Sequence, residues 1–162
     1  MFIYSVRART VKLFALALLA VVLVMLVAVF GGENFVSAAT DAQEIDYSGI
    51  KTNEDRVGFI ERFGIKVADT PTEEEAFTMP ENLDRVILGY NELQKKQGLD
   101  LTKYRNKRVT RYTYKVENYD YDGDVYANLF IWRGRVVACD ISSADPNGFV
   151  APLTQVDASK LK

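Results

Sequence analysis

Enzymes work with a nucleophile, a proton shuttle or a metal cage, and this chain is sparing with all three. It holds one cysteine, Cys139, and no histidine. A Cys–His pair is therefore excluded, and with it the commonest general base, metal ligand and pH switch. Cys139 lies between Ala138 and Asp140 in an apolar run, a setting for a small buried hydrophobe rather than a reactive thiolate. Asp120, Asp122 and Asp124 around Gly123 suggest a calcium loop. An EF-hand counted from Asp120 would need glutamate where Ile131 stands, and a solvated turn accounts for the same residues. Glu73, Glu74 and Glu75 form an acidic run, the usual pattern of a wetted edge. No P-loop, nucleophile elbow or zinc spacing occurs, and no spacing among the 22 acids singles out an acid–base pair. The residue types point to no catalytic site, no metal and no cofactor.

The concentrated feature is basic. Lys95, Lys96 and Lys103 are followed closely by Arg105, Lys107 and Arg108, then by Arg111 and Lys115, with Asp100 alone opposing them. Tyr104, Tyr112 and Tyr114 interleave with these cations. The interaction face expected from this pattern comprises Lys103, Arg105, Lys107 and Arg108, continuing through Arg111, Tyr112, Tyr114 and Lys115. The alternative is a helix end and an edge strand kept soluble by Lys and Arg.

What such a face meets depends on where the chain sends it. Leu13 to Phe30 runs without a charge and as a helix would span about 27 Å, close to the roughly 30 Å hydrocarbon thickness of a bilayer. Arg7, Arg9 and Lys12 precede it with no acid among them. Three of the 20 basic residues thus come first, leaving 17 against all 22 acids, a net −5 beyond the run. That asymmetry predicts a single-pass protein of the cell membrane, with the N-terminus cytoplasmic and the domain outside. Val36-Ser37-Ala38 before Ala39 fits signal peptidase, so a form secreted after cleavage near Ala38 is the alternative. The apolar run is longer than an ordinary signal core, which favours the anchor. With one cysteine, no intrachain disulfide can staple an exported domain, and its core must suffice. Basic-plus-aromatic patterning elsewhere suggests nucleic acid, but an exported domain seldom meets any. The expected partners are an anionic lipid surface, a wall polymer or an acidic face of an envelope protein. Each basic residue beside an anionic membrane contributes about 1 kcal/mol.

The elements that must position these residues follow from spacing. Residues 1–12 read as a cytoplasmic tail, 13–30 as the anchor, 31–49 as a tether, 50–150 as the folded domain and 151–162 as a flexible tail. Thr52 offers an N-cap with Glu54 and Asp55 in the first turn; Val57, Phe59, Ile60 and Phe63 give the helix an apolar face, and Gly64 ends it. Short strands are expected over 65–68 and 75–79, around a turn at Thr70-Pro71-Thr72. A longer helix after Pro80 carries Leu83, Val86, Ile87, Tyr90 and Leu93 on one face and stops at Gly98. Gly89 within it costs about 1 kcal/mol relative to Ala, marking close packing or a weak point. Residues 99–106 read as a connector that tucks Leu101 and Tyr104 onto the core. Val109 to Val116 alternates as a strand, and Asp122-Gly123 marks a turn. Val125–Trp132 and Arg135–Ile141 form a hairpin about Arg133-Gly134, apolar on both faces and so central, with Trp132 packed. The expectation is an α+β domain, two helices packed on one face of an antiparallel β-sheet, preceded by an N-terminal transmembrane helix.

Three stretches, NEDRVGFIERFGIKV (53–67), YNELQKKQGLDLTKYRNKRVTRYTYKVENY (90–119) and ANLFIWRGRVVACDISSADPNGF (127–149), carry a resemblance. They resemble the small single-span membrane proteins of Gram-positive bacteria grouped as domain of unknown function family 4830. The resemblance implies an N-terminal anchor and a compact extracytoplasmic domain, and brings no catalytic or binding residue with it. The expected function is a non-catalytic binding or interaction module at the cell envelope. The alternatives are a peptide-binding or protease-modulating domain using a sheet edge, or a carboxylate-dependent cell-wall hydrolase. The last needs two carboxylates about 5–9.5 Å apart in one cleft.

Overall fold

Arg133 and Gly134 both adopt positive φ, 48° and 73°, the requirement of a two-residue type I′ turn. They close β3 (Val125–Trp132) on β4 (Arg135–Ser143), the hairpin around which the domain is built. The computed structural model describes residues 45–162. The predicted anchor Leu13–Phe30, the cytoplasmic tail, most of the tether and the cleavage site near Ala38 lie outside the described residues. No helix among the described residues is long and apolar enough to cross a membrane.

The sheet is a five-stranded antiparallel meander. It runs β1 (Glu73–Thr78), β2 (Arg108–Lys115), β3, β4 and β5 (Val150–Pro152), each strand pairing with the next in sequence. The hairpin is central, as its two-faced apolar pattern requires. Two helices accompany the sheet. The first, α1 (Asn53–Glu61), opens with a capping box: Thr52 Oγ1 accepts from Asp55 N at 3.2 Å, and the Asp55 carboxylate accepts from Thr52 N at 2.8 Å. The second, α2 (Arg85–Lys95), is capped by Asp84, which accepts from Ile87 N at 2.8 Å.

The helices lie on opposite faces of the sheet, not on one. Pairing places Tyr112 and Tyr114 beside Leu129 and Ala127, whereas Arg111 and Thr113 accompany Phe130 and Asn128 on the other side. From α1, Arg56 Nε donates to the Tyr114 hydroxyl at 2.7 Å. From α2, Tyr90 packs on Phe130 with ring centroids 5.8 Å apart and bonds to Asp140, the cross-strand partner of Asn128. A central hairpin apolar on both sides leaves two surfaces to cover, and one helix covers each.

Several boundaries differ from expectation. Residues 65–68 make one isolated bridge, Val67 with Val116, rather than a strand. Leu101–Tyr104 is a short 3₁₀ turn that buries Leu101. The domain begins at Asp46, inside the expected tether, and Tyr47 is buried. Residues 151–162 are no loose tail. Leu153 is fully buried, Leu161 bridges Tyr119, and Lys162 N donates to Asn118 O at 2.8 Å. Apolar side chains at 153 and 161 give this polar segment two anchors.

α2 buries only part of the expected apolar stripe: Ile87 and Tyr90 pack against the core cluster, and amides complete the buried face. Val86 is 79% exposed, while Asn91, Gln94 and Gln97 are buried. All three amides cover backbone, Asn91 that of Leu101 and the two glutamines that of β4. Gln94 Oε1 accepts from Cys139 N at 2.9 Å, and Gln97 Nε2 donates to Cys139 O at 2.6 Å. Together they stand in for a neighbouring strand on the outer edge of β4. On either side of them, Val136 N donates to Tyr47 O at 2.8 Å, and β5 pairs with residues 140–142.

Candidate functional site

Between α2 and the sheet runs an open groove of about 450 Å³ with apolar walls: Phe77, Met79, Ile87, Leu101 and Phe130, with Val86 and Val150 at its mouth. Val86 and Val150 are two of the three large apolar side chains left exposed among the described residues, at 79% and 55%. Isolated exposed valines mean little, but a pair flanking one concavity marks a binding mouth.

The groove is not uniformly apolar. Tyr90, Arg111, Asn128 and Asp140 also line it. Asp140 is buried, and its carboxylate accepts from the Tyr90 hydroxyl at 2.5 Å and from Asn128 Nδ2 at 2.9 Å. Asn128 also donates to Ser142 Oγ at 3.0 Å and accepts from Thr113 Oγ1 at 2.8 Å, so a polar relay crosses β2, β3 and β4 beneath the groove. Burial pushes the Asp140 carboxyl above the ordinary carboxylate range, against the opposing effect of the hydrogen bonds it accepts. Burial, reinforced by the adjacent Asp140, pushes the Tyr90 phenol well above its ordinary value. Tyr90 thus stays a donor at physiological pH.

Arg111 adds a charge at the rim. Its Nη2 bridges Glu73 Oε2 at 3.0 Å and Glu75 Oε2 at 2.9 Å, while its Nε is buried without a partner. A buried N–H left unpaired in a groove wall is a donor waiting for an acceptor. A shallower polar depression along Thr72, Thr113, Tyr126 and Ser142 shares Arg111 and Asn128 with the groove. One face of the sheet therefore offers an apolar slot under α2 that continues into a hydrogen-bonding surface.

The expected basic face is not assembled. Arg111 and Lys115 lie on the α2 side of the sheet, Tyr112 and Tyr114 on the α1 side. Tyr114 is fully buried, and its hydroxyl is held by Asn53 and Arg56. Tyr112 is half-buried beneath Arg56, whose guanidinium lies 3.9 Å from the ring centroid. Arg111 is neutralised by Glu73 and Glu75, and Lys115 by Asp124 at 2.7 Å. Strand alternation splits any basic run into two half-sets, and cross-strand acids then claim some of each. Lys103, Arg105, Lys107 and Arg108 are exposed, without an ion-pair partner among the described residues.

Cys139 is fully buried, and burial raises its thiol pKa far above the ordinary value. Asp120 pairs with Lys162 at 2.6 Å and Asp124 with Lys115, so the acidic loop is tied to two separate elements. Trp132 packs edge-on against Tyr104 at 5.6 Å, beside the buried cluster of Met79, Leu101 and Val109. The groove itself escaped the reading of the sequence. One signal was present: Asp140 stands in an otherwise apolar strand, and a carboxylate there must find partners.

No curated protein and no solved structure matches this chain. The family profile described as Domain of unknown function (DUF4830) matches residues 59–141, from the buried Phe59 of α1 to Ile141 beside the relay carboxylate. That span is just over half of the 162 residues, and the protein belongs to this family.

Proposed function

We propose that this domain is a non-catalytic binding module of the cell envelope, carried by the apolar run Leu13–Phe30, and that its site is the α2 groove. The observation that carries the reading is an apolar slot ending at an unpaired, buried Arg111 Nε. Such a site favours an occupant with an apolar body and an acceptor oxygen at its end. A carboxylate-dependent hydrolase is less well supported. It would need two carboxyl groups facing across one cleft, and among the described residues Asp140 is the one carboxylate lining this groove. The peptide-binding reading draws on β1, an edge strand beside the groove whose Phe77 lines it. Its three glutamates discourage casual strand addition and would select a basic segment.

Photo-crosslinking in native membranes tests the proposal. A benzoylphenylalanine placed at Val86 or Val150 of the full-length chain should give one shared adduct mass, absent when the probe sits at the exposed Lys103. Arg111→Gln should weaken that adduct severalfold. Adducts equally abundant at position 103, or none at 86 and 150, would overturn the groove as the site.

A further inference from the structure

On the opposite face of the sheet lies a second concavity of about 380 Å³. Its walls include Lys51, Arg56, Arg108 and Arg133, its floor Thr110, Tyr112 and Ile131, and no acid lines it. These four cations come from three separate parts of the chain: the start of α1, the start of β2 and the β3–β4 turn. None of them is in an ion pair among the described residues.

Three of the four cations are placed by contacts of their own. Arg56 lies over the Tyr112 ring, and its Nε is engaged by the Tyr114 hydroxyl, which leaves both Nη groups as donors. Arg133 takes its direction from the positive-φ turn and stacks over Trp132 at 5.0 Å. The segment bearing Lys51 is fastened to that turn by the bond from Ile50 N to Gly134 O at 2.9 Å. A Cβ at Gly134 would stand 3.3 Å from Lys51 Cγ, so the glycine lets the lysine lie close. Of the nearby acids, Asp55 accepts from the backbone N–H of Lys51 and Thr52, and Glu74 is the cross-strand partner of Tyr112; neither lines the pocket.

Four cationic side chains lining one pocket and in no ion pair among the described residues, in a chain of net charge −2, repel one another and favour any anion that can sit among them. A single carboxylate would leave most of that charge uncompensated. A phosphoryl group carries up to two charges and several acceptor oxygens, which suit the forked donors of arginine. We infer that this pocket is a seat for a phosphoryl group, separate from the α2 groove and independent of its occupant. The group belongs either to a soluble phosphate ester or to an anionic lipid head group.

The test uses the full-length chain in phosphatidylcholine nanodiscs, with a pocket variant Arg108→Gln/Arg133→Gln and a control variant Lys103→Gln/Lys107→Gln that removes equal charge outside the pocket. Equilibrium dialysis with radiolabelled inorganic phosphate, at constant ionic strength set with chloride, forms one arm. Capture on phosphatidylglycerol against phosphatidylcholine vesicles forms the other. Saturable phosphate binding identifies a soluble ester. Capture by phosphatidylglycerol without it identifies a lipid head group. In either case the pocket variant should lose at least about tenfold in affinity, as two charge-assisted contacts disappear, while the control changes less than about twofold. Equal losses in both variants, or binding of neither probe, would overturn the proposal. Thermal melts of the pocket variant that match the parent exclude loss through unfolding.

Discussion

At the scale of the residue, Asp140 is a buried carboxyl held by hydrogen bonds. Its partners, Tyr90 and Asn128, come from different elements, and burial raises its pKa in the folded state. A carboxyl whose folded pKa is raised contributes stability fully below its unfolded value, near 3.8, and loses it as pH rises through the folded value. Ionising the buried carboxyl therefore carries a cost that Asn would not. The exposed carboxyls with lowered values, such as Asp46, Asp55 and Asp120, act in the opposite sense, so the total pH profile mixes both. Comparison with Asp140→Asn isolates the term. The melting temperature of the parent, measured relative to the variant, should rise as pH falls from 8 towards 4.5. A difference that stays flat across that range would mean that Asp140 titrates like an exposed carboxyl.

At the scale of the element, α2 and the edge of β4 are held together by amides. Gln94→Ala would leave the Cys139 N–H buried and unmet, and we expect a loss of about 2–3 kcal/mol in denaturant unfolding. Gly89→Ala should act the other way. Gly89 does not adopt positive φ, and an added Cβ meets nothing within 4 Å, so the expected gain is about 1 kcal/mol. That openness settles the two explanations offered for Gly89: it is a weak point of the helix and not a packing contact. The same helix shows what a sequence conceals. Its existence and end were legible from the 3.6 period and Gly98, but its start was not: the helix begins at Arg85 behind the Asp84 cap, not directly after Pro80. Its buried face was legible only in part: Ile87 and Tyr90 pack as the period requires, but glutamine reads as a surface residue until its amide is seen to replace a strand. The hairpin was legible almost to the residue, since a type I′ turn needs two positive-φ residues between apolar runs. The groove was hidden for the opposite reason: it is made by elements distant in sequence, and Tyr90 and Asp140 lie fifty residues apart.

At the scale of the whole molecule, the chain closes on itself at its C-terminal end. Leu153 fills the core, and Leu161 reaches back to the residues after α1, 3.1 Å from where a Cβ on Gly64 would stand. Leu153→Ala should cost about 2–5 kcal/mol in chemical unfolding, a loss comparable to that of any core leucine. A cost below about 0.5 kcal/mol would show the segment to be an appendage after all. The two concavities are divided between the two sheet faces: an apolar slot under α2, and a cationic pocket beside α1. Meanwhile the lone thiol sits at the centre, on β4, with its backbone clasped by α2. A modifying reagent can reach Cys139 only when that clasp opens, so in this chain the rate of covalent labelling is a readout of how often the core opens. Because there is no second cysteine to confuse the signal, an occupant of either face that tightens the fold would slow that labelling, and ligands could be ranked without knowing what reaction, if any, the domain serves.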